Sequence, residues 1–164
     1  MKNKRSWLGL LGFGAAVAAA AWIGSRNSPR DLRTRLWYER LNKPPYHPPR
    51  LAFPVVWTML YALIAVSGWR TWEQKSSPER SRALRLWISQ LVTNAEWTRL
   101  FFGQHRPKQA LLDVVALEAQ ILGYIVSASA VDTAATACFV PYAAWVAFAT
   151  VLNSEIIRLN PRQT

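Results

Sequence analysis

Three stretches of this chain contain no charged side chain: Ser6–Ser25, 51–69 and 133–154, which are 20, 19 and 22 residues long. A helix of about 20 mostly apolar residues crosses the roughly 30 Å hydrocarbon core of a bilayer. Within lipid only helices and closed barrels satisfy every backbone polar group. The stretches are much longer than barrel strands and lack strict alternation. Two further segments lie between them. Residues 84–102 are interrupted by Arg85, Glu96 and Arg99, and residues 110–131 by Asp113 and Glu118. The reading is therefore an all-α integral membrane bundle of five transmembrane helices, with the two interrupted helices turned inward to shelter their charges. It forms a single domain over 1–164. Its helices are expected at about 7–24, 50–72, 83–102, 109–131 and 133–158, with a proline-rich lid loop at 37–49. The alternative is a soluble bundle of unusually long apolar helices.

Aromatic placement favours the membrane. Trp7, Trp22, Trp37, Tyr38, Trp69 and Trp72 fall at or near predicted helix ends, where interfacial belts form. The first helix is preceded by Lys2, Lys4 and Arg5, so a cleaved leader is the competing reading. Its Gly9, Gly12 and Gly14 fit a retained helix that packs closely on its neighbours. The net charge of +11 sits mostly in loops, where basic residues meet headgroups. Its slight asymmetry puts the first loop and the C-terminus on the cytoplasmic side. No nucleic-acid-binding motif accompanies it. A single cysteine, Cys138, and two histidines, His47 and His105, give no disulfide framework and leave little for a metal.

The segment Trp37-Tyr38-Glu39-Arg40-Leu41-Asn42-Lys43-Pro44-Pro45-Tyr46-His47-Pro48-Pro49 is the most distinctive. Four prolines in six residues exclude a helix there and stiffen an extended backbone. Aromatic side chains among them suit a lid folded over a cavity; the alternative is a rigid spacer at the headgroups. Gln90, Asn94, Trp97 and Phe101 follow offsets 0, 4, 7 and 11, and so do Pro141, Trp145, Phe148 and Leu152. Each set shares a helix face. Trp57 and Tyr61 are one turn apart. Indole walls with a few polar anchors suit a planar aromatic ligand, although such aromatics also serve simply to pack helices. Glu96 with Arg99, and Glu155 with Arg158, have pairing spacing. Glu118 has no partner at helical spacing, and we expect it to meet a base such as Arg99 across helices or to lie between subunits.

Three motif blocks carry a resemblance. The first comprises Trp37-Tyr38, Leu41, Lys43-Pro44, Pro48-Pro49, Phe53-Pro54, Trp57 and Leu60-Tyr61. The second comprises Gln90-Leu91, Asn94, Trp97, Phe101-Phe102 and Ala110-Leu111. The third comprises Val140-Pro141-Tyr142, Trp145, Phe148-Ala149, Leu152-Asn153 and Leu159-Asn160. In this order they resemble the translocator protein family, also called tryptophan-rich sensory proteins (TspO/MBR) or peripheral benzodiazepine receptors. The first helix matches only in hydrophobicity and small residues.

The resemblance implies a five-span membrane protein, often a homodimer, that binds tetrapyrroles such as protoporphyrin IX and acts as a sensor or carrier in tetrapyrrole or stress homeostasis. Light-dependent porphyrin breakdown and small-molecule transport are the alternatives. The ligand-site residues it implies, together with the reading above, are Tyr38, Lys43, Pro49, Phe53, Trp57, Asn94, Trp97, Trp145, Phe148 and Ala149. Lys43 is placed to meet either a propionate or a lipid phosphate, and Ala149 must be small. No catalytic residue, metal ligand, covalent cofactor or nucleic-acid partner is assigned; the expected partners are the porphyrin, membrane lipids and a second copy of the chain. The pattern after Leu152 lacks the tyrosine of the sterol motif, so no sterol binding is assigned. Phe53-Pro54-Val55-Val56-Trp57 resembles bacterial members, which implies the bacterial cell envelope, its inner or outer membrane left open. Departures are Arg99, where family members commonly carry proline, and Glu118, where an apolar residue is usual.

Overall fold

The computed structural model describes residues 2–28 and 32–162, with side chains from residue 6 onward. Among the described residues the regular structure is entirely helical: α1 (Lys2–Ser25), α2 (Leu32–Arg40), α3 (Ala52–Glu73), α4 (Pro78–Thr98), α5 (Pro107–Ser129) and α6 (Thr133–Leu159). Four of them, α1, α3, α5 and α6, contain segments long and apolar enough to cross a membrane. The 21-residue α4 carries Glu79, Arg80, Arg82, Arg85 and Glu96 and does not qualify by composition.

The long helices pack in a ring whose order differs from chain order. α4 lies on α5, α5 on α6, α6 on α3, and α1 sits between α3 and α4. The first hydrophobic run is thus a structural member of the bundle. Phe13 of α1 meets Trp87 edge-on at 4.7 Å. Close approach there depends on Gly68 of α3. The Trp87 indole lies across the α3 backbone and donates from Nε1 to the Ile64 carbonyl at 2.9 Å. A Cβ on Gly68 would stand 2.5 Å from that indole and 2.7 Å from Phe13.

Local chemistry sets the helix starts. Ser77 caps α4 by accepting the Arg80 N–H, and Pro78 occupies the first turn, where its missing N–H costs nothing. This start lies five residues before the sequence expectation. Pro107 occupies the first turn of α5, without a side-chain cap before it. Asp132 caps α6: its Oδ1 accepts the Ala135 N–H at 2.7 Å, while Arg70 and Gln74 of α3 donate to Oδ2 at 3.0 and 2.8 Å. One carboxylate therefore ties the end of α3 to the start of α6. Nearby, Tyr124 Oη meets the Ser67 and Thr71 hydroxyls, each at 2.7 Å, which satisfies three buried polar groups inside the bundle.

The position of Asp132 gives a measurable pH dependence. Burial acts to raise its pKa, but the Ala135 N–H and the Arg70 guanidinium outweigh burial and hold it below the usual carboxylate value. The stabilisation is complete above the unfolded pKa of about 3.9 and is lost as pH falls through the lower folded value. Asp132→Ala is expected to cost about 2 kcal/mol, through the lost cap and ion pair. It should also flatten the acid limb of a melting-temperature series below about pH 4.

Two expectations are corrected. Residues 37–40 are not loop but the last turn of α2. No proline lies between Leu32 and Pro44, so nothing stops residues 37–40 from coiling, and Arg35 and Glu39 pair one turn apart at 3.0 Å. The third long helix is not continuous to residue 102. It changes at Arg99 into a π-helical turn, Arg99–Gly103. The extra residue per turn brings both Phe101 and Phe102 to the cavity described below.

Of the charged pairs, Glu96–Arg99 and Glu155–Arg158 form, at 2.8 and 2.6 Å. The expected Glu118–Arg99 contact does not, because the Arg99 guanidinium is engaged by Glu96 on its own helix. Glu118 Oε2 is buried with no hydrogen-bond partner among the described residues.

Candidate functional site

Aromatic side chains from α3, α4 and α6 leave a cavity of about 570 Å³ between the helices, within the range of small-molecule sites. Trp57 and Tyr61 line it from α3, with ring centroids 5.2 Å apart. Trp97 lines it from α4 and stacks on Phe101 at 5.1 Å with 22° between planes. Trp145 and Phe148 come from α6, and Trp145 meets Phe53 edge-on at 5.9 Å. Ala149 is the small position beside them.

Polar anchors are few and held from behind. Asn94 donates Nδ2 to Tyr142 Oη at 2.7 Å, and the Tyr142 hydroxyl donates to Gln90 Oε1 at 3.0 Å. Tyr142 and Gln90 are fully buried, so this chain fixes the orientation of the Asn94 amide. Trp97 Nε1 donates to Asn153 Oδ1 at 3.3 Å, and Asn153 donates Nδ2 to the Pro107 carbonyl at 2.9 Å.

The α2 helix and the proline segment form the roof. Trp37 stacks on His105 at 4.1 Å, and Tyr38 meets Phe102 edge-on at 5.3 Å. Leu41 is buried against the cluster around Phe101, Leu152 and Ile156. Asn42 and Asn160 exchange two hydrogen bonds, backbone N–H to Oδ1 at 2.8 Å and Nδ2 to carbonyl at 2.9 Å, which fasten the segment to the end of α6. Tyr38 Oη lies 2.7 Å from His47 Nε2. Burial pushes the Tyr38 phenol up to about 12, against the opposing pull of Arg50. Burial, with Lys43 nearby, lowers the His47 pKa, although a hydrogen bond to the Pro48 backbone acts the other way. The neutral imidazole is thereby favoured at neutral pH.

Eight of the ten sequence-selected residues line this one cavity: Tyr38, Phe53, Trp57, Asn94, Trp97, Trp145, Phe148 and Ala149. Lys43 and Pro49 are not among its lining residues. Lys43 folds back, and its Nζ donates to the carbonyls of Tyr38 and Leu41 at 2.5 and 3.0 Å while lying over the Tyr38 ring. Burial and the Arg50 charge lower its pKa. Its work is to close the turn after α2. Pro49 is exposed. On α6, Pro141 faces outward and Tyr142 takes the inward place, at helical spacing from the cavity-lining Val146, Ala149 and Asn153. Sequence reasoning did not select Arg35, Arg50 or Asn153 for the site. The i,i+4 pairing of Arg35 with Glu39 was the available signal for the first. Nothing local marks Arg50.

The profile of the TspO/MBR family matches residues 13–159, which takes in the whole cavity. The chain belongs to the TspO/MBR family. It is 37% identical to a tryptophan-rich sensory protein of Cereibacter sphaeroides over 94% of this chain and 92% of that one. The protein CrtK of Rhodobacter capsulatus is 37% identical over 89% of each chain. The human translocator protein is 31% identical, with 94% and 91% covered. The TspO/MBR match begins at Phe13, so it includes the part of α1 that packs on Trp87. It also spans the three motif-bearing walls and the roof.

Proposed function

We propose that this TspO/MBR protein is a five-span integral membrane protein that binds tetrapyrroles such as protoporphyrin IX in the aromatic cavity, as a sensor or carrier in tetrapyrrole or stress homeostasis. The observation that carries the reading is the grouping of Trp57, Trp97 and Trp145 around one cavity with a pre-oriented Asn94 amide. Flat π surfaces stack on indoles, and one fixed polar group orients them. The Glu96–Arg99 pair supports α4 as the fifth span, because pairing reduces the expense of charge in lipid. A homodimer in a bacterial membrane completes the reading.

Titration of the detergent-purified protein with protoporphyrin IX in the dark tests it, read by tryptophan quenching and the porphyrin absorption band. Saturable binding is expected, weakened about tenfold by Trp57→Ala and by Asn94→Ala. Absent or nonsaturable binding, or binding indifferent to both substitutions, rejects the cavity as a tetrapyrrole site. The three indoles lining one cavity also favour a second reading, light-driven breakdown of the bound porphyrin. Loss of porphyrin absorbance in light but not in darkness, slowed by Trp145→Phe, distinguishes it from binding alone.

A further inference from the structure

Arg35 and Arg50 both line the cavity, yet each is held by Glu39, which does not. Glu39 Oε1 accepts Arg35 Nε at 3.0 Å across one turn of α2 and also accepts an N–H from Arg50, at the far end of the proline segment. A single carboxylate oxygen shared by two guanidiniums is an anion site with an occupant already in it. We propose that Arg35 and Arg50 form a carboxylate-binding subsite at the cavity mouth, filled by Glu39 in the unliganded protein and taken over by a carboxylate of the incoming ligand. This rests on the tetrapyrrole reading of the cavity, since a flat ring among the indoles leaves its acidic side chains to be met at the rim.

Three observations favour exchange. Arg35 and Arg50 are 57% and 60% exposed, and Glu39 is 36% exposed, so their mutual attraction is weak and screened and yields readily. Each guanidinium has five N–H donors, and Glu39 engages both through one oxygen, which leaves donors for a second carboxylate. Lys43, the cation within the proline segment, is committed to the Tyr38 and Leu41 carbonyls and offers no competing anchor.

The test compares protoporphyrin IX with its dimethyl ester, which keeps the ring and lacks the carboxylates. Both are titrated in the dark into the full chain and into the variants Arg35→Gln/Arg50→Gln and Glu39→Gln. The parent is expected to prefer the diacid roughly tenfold. The double arginine variant should bring that ratio to about one. Removing the competing carboxylate with Glu39→Gln should widen the ratio, roughly threefold. Added salt should weaken diacid binding more than ester binding. A ratio near one in the parent, a ratio that survives loss of both arginines, or a ratio that narrows in Glu39→Gln would overturn the subsite while leaving ring binding in place. Loss of both ligands from the parent would instead reject the tetrapyrrole reading, and the subsite with it.

Discussion

Replacing Gly68 with leucine is expected to lower the melting temperature of the detergent-solubilised protein by roughly 10 °C, equivalent to about 3 kcal/mol for a chain of this size. The cause is geometric. Gly68 is fully enclosed where α1, α3 and α4 meet, and any Cβ there stands 2.5 Å from the Trp87 indole and 2.7 Å from Phe13. Trp87 is 2% exposed and bonded to the Ile64 carbonyl, so it has no free direction in which to retreat. Relief requires α1 or α4 to move outward. That separates Phe13 from Trp87 and admits space where helices in lipid rely on close packing. Alanine at the same position should give a smaller shift of the same sign. The measurement is a thermal unfolding curve monitored by monodispersity. A change of less than about 2 °C for leucine would mean that the three helices do not meet at this point.

Filling the cavity should have the largest functional effect. Ala149→Trp places an indole between Trp145 and the rest of the lining, in space a ligand ring needs. Dark titration with protoporphyrin IX is expected to show at least a fiftyfold loss of affinity, because an occupied apolar site loses both stacking area and the space for it. The melting temperature should move little, since the new side chain enters a void instead of displacing packed neighbours. Unchanged affinity with an unchanged melting temperature would place the binding site elsewhere. A collapse of stability would show that Ala149 is packed against a neighbouring helix more tightly than the cavity suggests. Ala149→Ser, which adds little volume, then separates a steric loss of binding from a loss of fold.

Much of the architecture was legible in order along the chain. The uncharged runs mark helices because span length is a local property, whereas the starts of α4 and α5 at Pro78 and Pro107 lie before the expected 83 and 109. The faces of α4 and α6 were legible from spacing, and Gln90, Asn94 and Trp97 do point inward. The same periodicity misplaced Pro141, since a face defined by offsets 0, 4, 7 and 11 has a neighbour displaced by one residue that fits equally well. Only the amide partners of the Tyr142 hydroxyl, Asn94 and Gln90 on α4, choose between them. Lys43 was misleading for a related reason. A lysine beside prolines reads as available, but its nearest acceptors are carbonyls exposed by the end of α2.

The sequence by itself determined the class of protein: an all-helical bundle with membrane-length apolar segments, a stiff proline segment rich in aromatics and a set of indoles on helix faces. Those follow from hydrophobicity, backbone restriction and a fixed helical period, which act within about 20 residues. Tertiary structure alone decided the insertion of α1 between α3 and α4, the register change at Arg99–Gly103, and the arrival of Arg50 at Glu39 across the proline segment. Each depends on the fit between side chains distant in sequence, and packing in a dense interior is settled by shapes that no single helix carries.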